Sequence, residues 1–153
     1  MEVKMDGAET SPGLPVPTQE ERTMAMLSHL LMIFAGFIPP LVIYLVRKES
    51  KFVSFHAMQG LLWQIVTAIV YFFAFATFIV SMIFTMPHGG QKPAGPNPFP
   101  FAFFGLFALI WISFMGIWMA NLILGIVYSI KAYEGKWASY PVFGRWARRI
   151  VGV

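Results

Sequence analysis

The side chains that could do chemistry in this chain are few, and most share one helical face. His56, Gln59, Gly60, Trp63 and Thr67 fall at i, i+3, i+4, i+7 and i+11, with Gln64 and Tyr71 at the margin of the same stripe. Polar groups are costly in apolar surroundings, so such a stripe is where function would concentrate. Two chemistries suit His56, Gln59, Gly60, Gln64 and Thr67. They could line a polar path or grip a lipid headgroup, or their amides and imidazole could bond to neighbouring backbone and glue a seam between helices.

Other chemistry is scarcer. His29, His56 and His88 are scattered along the chain with no carboxylate beside them, so no metal site is expected and no cofactor is called for. No Asp, Glu, Lys or Arg occurs in residues 23–46, 52–91 or 93–130, which removes the intramembrane carboxylate that proton- or sodium-coupled carriers ordinarily use. The absence of cysteine excludes thiolate nucleophiles, disulfides and iron-sulfur ligation. No H-E-x-x-H, G-x-S-x-G, Walker A or paired-aspartate motif is present. The chain reads as no enzyme. Two further narrow faces, Ala25, Ser28, His29, Met32 and Gly36, and Asn121, Gly125 and Ser129, carry the small residues of close helix packing.

The elements that position these residues follow from where charge is missing. The charge-free runs span 24, 40 and 38 residues, in a chain that is 58% hydrophobic and only 12% charged. About 20 apolar residues cross a bilayer as helix. The expected fold is therefore all-α, an integral membrane bundle of three transmembrane helices near residues 23–46, 57–84 and 101–130. Residues 1–17, rich in Pro, Gly and Ser and lacking an apolar stretch, read as a disordered tail rather than a signal peptide. Residues 18–136 form the membrane domain. Thr18 and Glu21 have the spacing of a capping box at its start. Pro39 and Pro40 interrupt the first span and predict a kink or break, with residues 41–46 completing the crossing. Residues 86–100, with five prolines and three glycines, read as an exposed loop.

Residues 137–153 read as a short interfacial amphipathic helix. Val142, Phe143, Trp146, Ala147, Ile150 and Val151 share one face, Arg145, Arg148 and Arg149 take the other, and Trp137, Tyr140 and Trp146 supply headgroup-level anchors. With three spans, eight Lys and Arg residues fall on the side of the 47–51 loop and the tail, and three on the opposite side. The positive-inside rule then puts the tail in the cytoplasm and the N-terminus outside. The net charge of +4 is accounted for by membrane orientation, so no nucleic-acid partner is expected. Arg47, Lys48 and Lys51 together with Arg145, Arg148 and Arg149 form a candidate cytoplasmic surface for anionic lipid headgroups.

Several segments together resemble a known family: E-E-R-T-M-A-M-L-S-H-L-L at 20–31, P-P-L-V-I-Y-L at 39–45, F-V-S-F-H-A-M-Q-G-L at 52–61, and K-A-Y-E-G-K at 131–136 followed by Tyr140-Pro141. This order of features, over residues 18–148, is similar to small prokaryotic multi-span membrane proteins related to the chloroplast inner-envelope protein-import subunit, with magnetosome membrane protein F among the relatives. The resemblance implies an α-helical multi-span domain of a prokaryotic plasma membrane that self-associates or serves as an accessory to a membrane protein partner. His56 and Gln59 match the family's His and Gln at its loop-to-helix junction. The expected function is a non-enzymatic scaffold or accessory subunit in contact with the lipid bilayer. The alternative is a channel or protein-translocation subunit.

Overall fold

The computed structural model describes residues 14–85 and 99–153; most of the expected tail and of the 86–100 loop lie outside the described residues. Among the described residues the protein is all-α. Its helices are α1 (Gln19–Ala35), α2 (Ile38–Val46), α3 (Lys51–Thr85), α4 (Phe99–Tyr133) and α5 (Gly144–Val151). The chain divides into two units. One comprises residues up to Val66 together with Ala120–Val153; the other is Thr67–Met119.

The end of the expected tail is held in place: Leu14 packs against the core, and the Pro17 carbonyl accepts a hydrogen bond from Arg22 Nε at 3.1 Å. The capping box then starts α1 as the spacing predicts. Thr18 Oγ1 accepts the Glu21 amide at 3.3 Å, and the Glu21 carboxylate accepts the Thr18 amide at 2.7 Å. Glu21 also binds the Ser50 hydroxyl, which is the first reason its carboxyl titrates below the ordinary range, ahead of its bonds to Thr18 and the nearby Arg47.

The expected single first span is not what residues 23–46 form. The break falls at Gly36, before the prolines: its φ of +61° is left-handed backbone that favours glycine, and α1 ends there. Pro39 and Pro40 instead open α2, in the first turn, where a missing N–H has no helical partner to lose. The helix they start runs back along α1. Glu20, in the first turn of α1, is ion-paired with Arg47, which follows the last turn of α2. Pro40 is buried, and a Cβ on Gly60 would lie 3.4 Å from its ring, so glycine lets the returning helix approach α3.

Among the described residues two helices, α3 and α4, are long and apolar enough to cross a membrane. Each has 35 residues, about 52 Å at 1.5 Å per residue, more than a hydrocarbon core of about 30 Å requires. In the first unit, the opening turns of α3 are buried: Phe52, Val53, Phe55 and Ala57 join Ala25 of α1, Ala132 of α4 and Trp137 in or beside one core. In the second unit, Tyr71 and Phe78 of α3 meet Phe114 and Phe107 of α4 as an antiparallel pair of helices.

Gly135, at φ +78°, closes α4, with the Lys136 amide returning to the Lys131 carbonyl. Residues 136–143 then form a strap without regular helix. It leads into α5, which begins at Gly144, after Pro141.

Candidate functional site

The strap poses a physical problem that the polar stripe of α3 solves. Its backbone runs through a buried region with neither helix nor sheet to pair its groups, and unpaired buried backbone is costly. His56 Nε2 donates to the Lys136 carbonyl at 3.1 Å. Gln59 works in both directions, its Nε2 donating to the Ala138 carbonyl at 3.2 Å and its Oε1 accepting the Tyr140 amide at 2.5 Å. Tyr128 of α4 donates to the Ser139 carbonyl at 2.8 Å. Three side chains thus clamp four backbone groups of the strap.

Behind the clamp lies a hydrogen-bonded chain of three rings. His56 Nδ1 meets His29 Nε2 at 3.0 Å, and His29 Nδ1 meets the Tyr140 hydroxyl at 2.9 Å. With one ring hydrogen on each imidazole, the Lys136 carbonyl fixes every tautomer, because a carbonyl only accepts. His56 must carry its hydrogen on Nε2 and accept at Nδ1, so His29 donates through Nε2 and accepts at Nδ1, and Tyr140 donates its hydroxyl hydrogen. Burial, and secondarily the neighbouring Tyr128, raise the Tyr140 hydroxyl above its ordinary titration range, which preserves it as that donor. The rings are packed as well as bonded: His29 stands edge-on to His56 at 5.2 Å between centroids, and Tyr140 lies 4.3 Å from Tyr128. Phe52 and Phe55 flank His56, and both contact Trp137.

Farther along α3, Gln64 donates to the Met32 carbonyl at 3.2 Å and to Asn121 Oδ1 at 2.8 Å, and Trp63 Nε1 reaches the same oxygen at 3.2 Å. Gly60 lies under Met32 and Pro40. The structure therefore brings His56, Gln59, Gly60 and Gln64 into one helix seam, while Thr67 begins the other unit and takes no part. Among the described residues no buried side-chain polar atom lacks a partner, and no three His, Cys, Asp or Glu residues cluster as metal ligands.

Sequence reasoning separated His29 from His56 because they belong to different helices, and the structure puts them in contact. Tyr140 was expected at headgroup level with Trp137; both are buried, and of the three expected aromatic anchors Trp146 alone is exposed. Asn121, which the sequence placed on a close-packing face with Gly125 and Ser129, completes the seam together with Tyr128, which only its polar head within an apolar run marked.

The six basic residues of the candidate lipid surface are engaged differently. Arg47 is paired with Glu20, and Lys51 Nζ caps α5 by donating to the Val151 carbonyl at 2.6 Å. Arg148 binds Ser139 Oγ through Nε at 3.2 Å and Nη2 at 3.0 Å, and lies over the Phe55 ring. Lys48, Lys51, Arg145 and Arg149 are exposed. The apolar face expected on α5 is divided: Phe143, Ala147 and Val151 are buried against the protein, whereas Val142, Trp146 and Ile150 are exposed beside Arg145 and Arg149. A hollow of about 270 Å³ is lined by Pro141, Val142, Arg145, Trp146 and Arg149.

A sequence profile described as the magnetosome magnetite crystal formation protein family, MamF/MmsF, matches residues 20–147, and the chain belongs to that family. The match covers the magnetosome part of the expected resemblance; the relation to the chloroplast import subunit is not part of it. Comparison with curated proteins and with solved structures finds no match. The family and the two long apolar helices make this a membrane protein.

Proposed function

Given that membership, we propose that the chain is a non-enzymatic structural subunit of a membrane assembly that takes part in magnetosome formation. The observation that carries this reading is the state of the α3 stripe: His56, Gln59 and Gln64 are each engaged by the chain's own backbone or side chains. Groups held in that way brace a scaffold and leave neither a free acid-base pair nor a wet path. A channel or translocation subunit would need the same groups facing water, and all three are buried. The partner in the assembly is a second copy of the chain or another membrane protein. Affinity isolation in mild detergent after brief cross-linking tests the reading. Recovery of defined multimers or stable partners is expected; recovery of monomer alone contradicts it.

The scaffold meets its own leaflet through α5. Val142, Trp146 and Ile150 sit at interfacial depth while Arg145 and Arg149 reach lipid phosphates, an attraction of about 1 kcal/mol per basic residue near an anionic surface. Replacing Arg145 and Arg149 together with Gln lowers retention of anionic lipid in native mass spectrometry. Unchanged retention contradicts the lipid contact and leaves the scaffold reading standing.

A further inference from the structure

We infer that residues 19–46 enter the bilayer as a re-entrant hairpin that dips into one leaflet and returns to the side it came from, its outer face covered by acyl chains of that leaflet. The entry and exit are one place. Glu20 pairs with Arg47, Glu21 binds the Ser50 hydroxyl, and a hollow of about 320 Å³ is lined jointly by Glu20, Glu21 and Met24 from the entry and Val46, Arg47 and Ser50 from the exit. Neither arm is long enough to cross alone: the charge-free part of α1, residues 23–35, measures about 20 Å and the nine residues of α2 about 14 Å against a core of about 30 Å.

The depth of the dip can be read along α3. Met32, near the turn, accepts a hydrogen bond from Gln64, which lies 13 residues beyond Lys51, about 20 Å at 1.5 Å per residue. Backbone that turns inside a membrane must have its polar groups satisfied by protein. Here the Gly36 amide and Gln64 Nε2 both take the Met32 carbonyl, the Leu41 amide takes the Phe37 carbonyl, and the two prolines bring no donor to the turn.

The outer face then identifies what covers it. Phe34, Phe37, Ile38, Val42, Leu45 and Val46 are all exposed, Phe34 by 83%, with no charge among them; Glu20, Arg47, Lys48 and Glu49 gather at the mouth. An apolar tip below a charged rim matches hydrocarbon below headgroups.

The chain's charges agree. Had the segment crossed, eight Lys and Arg residues would lie on one side and three on the other. As a hairpin it puts ten on one side, with Lys92 alone opposite. The positive-inside rule assigns those ten to the cytoplasm. The protein then has two crossings, and the N-terminal segment and the C-terminal tail face the same compartment.

The chain contains no cysteine, so single cysteines report their side without background. Gln19→Cys and Glu49→Cys, both at exposed positions, and Gln91→Cys are each placed in the full chain, and spheroplasts are treated with a membrane-impermeant maleimide before and after permeabilisation. The expected result is labelling of Gln91→Cys in intact spheroplasts, with Gln19→Cys and Glu49→Cys both silent until permeabilisation. Labelling of Gln19→Cys in intact spheroplasts while Glu49→Cys stays silent means that residues 19–46 cross, and overturns the hairpin.

Discussion

The two units are built from the same two long helices and solve different problems. In the unit formed by residues up to Val66 and Ala120–Val153, polar side chains are buried, and among the described residues every one has a partner. In Thr67–Met119 the side chains between α3 and α4 are almost wholly aromatic and aliphatic. Tyr71 lies tilted against Phe114, Phe78 meets Phe103 and Phe107, and a hollow of about 410 Å³ is lined by Tyr71, Phe78, Phe107 and Phe114 among others. Lipid already satisfies an apolar surface, so helix pairing there rests on shape and dispersion. Where the chain must carry a strap of irregular backbone, hydrogen bonds decide the structure instead. The difference teaches where this protein tolerates change: the aromatic pair can be resized, whereas the clamp must keep its donors and acceptors.

The largest effect expected from that contrast comes from Gln59→Ala, which leaves the Ala138 carbonyl and the Tyr140 amide unpaired. At about 1–3 kcal/mol for each buried group the loss is about 2–6 kcal/mol. Phe75→Ala, at a lipid-exposed position, costs under about 1 kcal/mol because no enclosed cavity forms. Thermal unfolding in detergent followed by circular dichroism compares the two. Equal losses would erase the distinction between the units.

Next comes packing within the clamped unit. A Cβ on Gly125 would lie 2.5 Å from the Ile33 side chain, so Gly125→Ala overpacks the seam and costs about 1–3 kcal/mol. Gly116, in the other unit, has nothing within 4 Å of the same position, and Gly116→Ala is neutral or stabilising on the same assay.

Gly36→Ala separates conformation from contact. No atom lies within 4 Å of its would-be Cβ, so the expected cost of about 1–2 kcal/mol comes from the positive φ alone. Gly36→Asn, which tolerates left-handed helical backbone but not a positive φ paired with a ψ of −131°, is expected to lose as much. A Gly36→Ala variant as stable as the unaltered chain would deny the conformational cause.

The smallest effect is electrostatic. Glu21 titrates below its ordinary value of 4.5 in the folded chain, so its contribution to stability is present above that pH and is lost as pH falls through the lower folded value. Glu21→Gln therefore lowers the melting temperature slightly at pH 7, and the gap from the unaltered chain closes on acidification below about pH 4. A gap that widens on acidification contradicts the assignment.

Much of this architecture was legible in the sequence. Charge-free runs announced apolar helices, and Thr18 with Glu21 announced the first cap, because both signals are local. The hairpin was not legible, since hydropathy records the composition of residues 23–46 and carries no sign of direction; Gly36 and Pro39 look alike as breakers until φ is known. The stripe from His56 to Gln64 was visible as a face of one helix. Its partners were not, because His29 lies 27 residues away and Tyr140 84 residues away along the chain. The tail misled for a related reason: the periodicity of α5 shows an apolar half, but only packing shows that Phe143 turns inward and Trp146 outward.

The central claim is that the polar residues of α3 clamp the strap, and the amide of Tyr140 tests it most directly. In the unaltered protein in lipid nanodiscs, hydrogen exchange at that amide is expected to be as slow as at the core amides of α3, and to quicken at least tenfold in Gln59→Leu. Exchange at Tyr140 as fast as at the exposed Val142 in the unaltered chain would contradict the clamp.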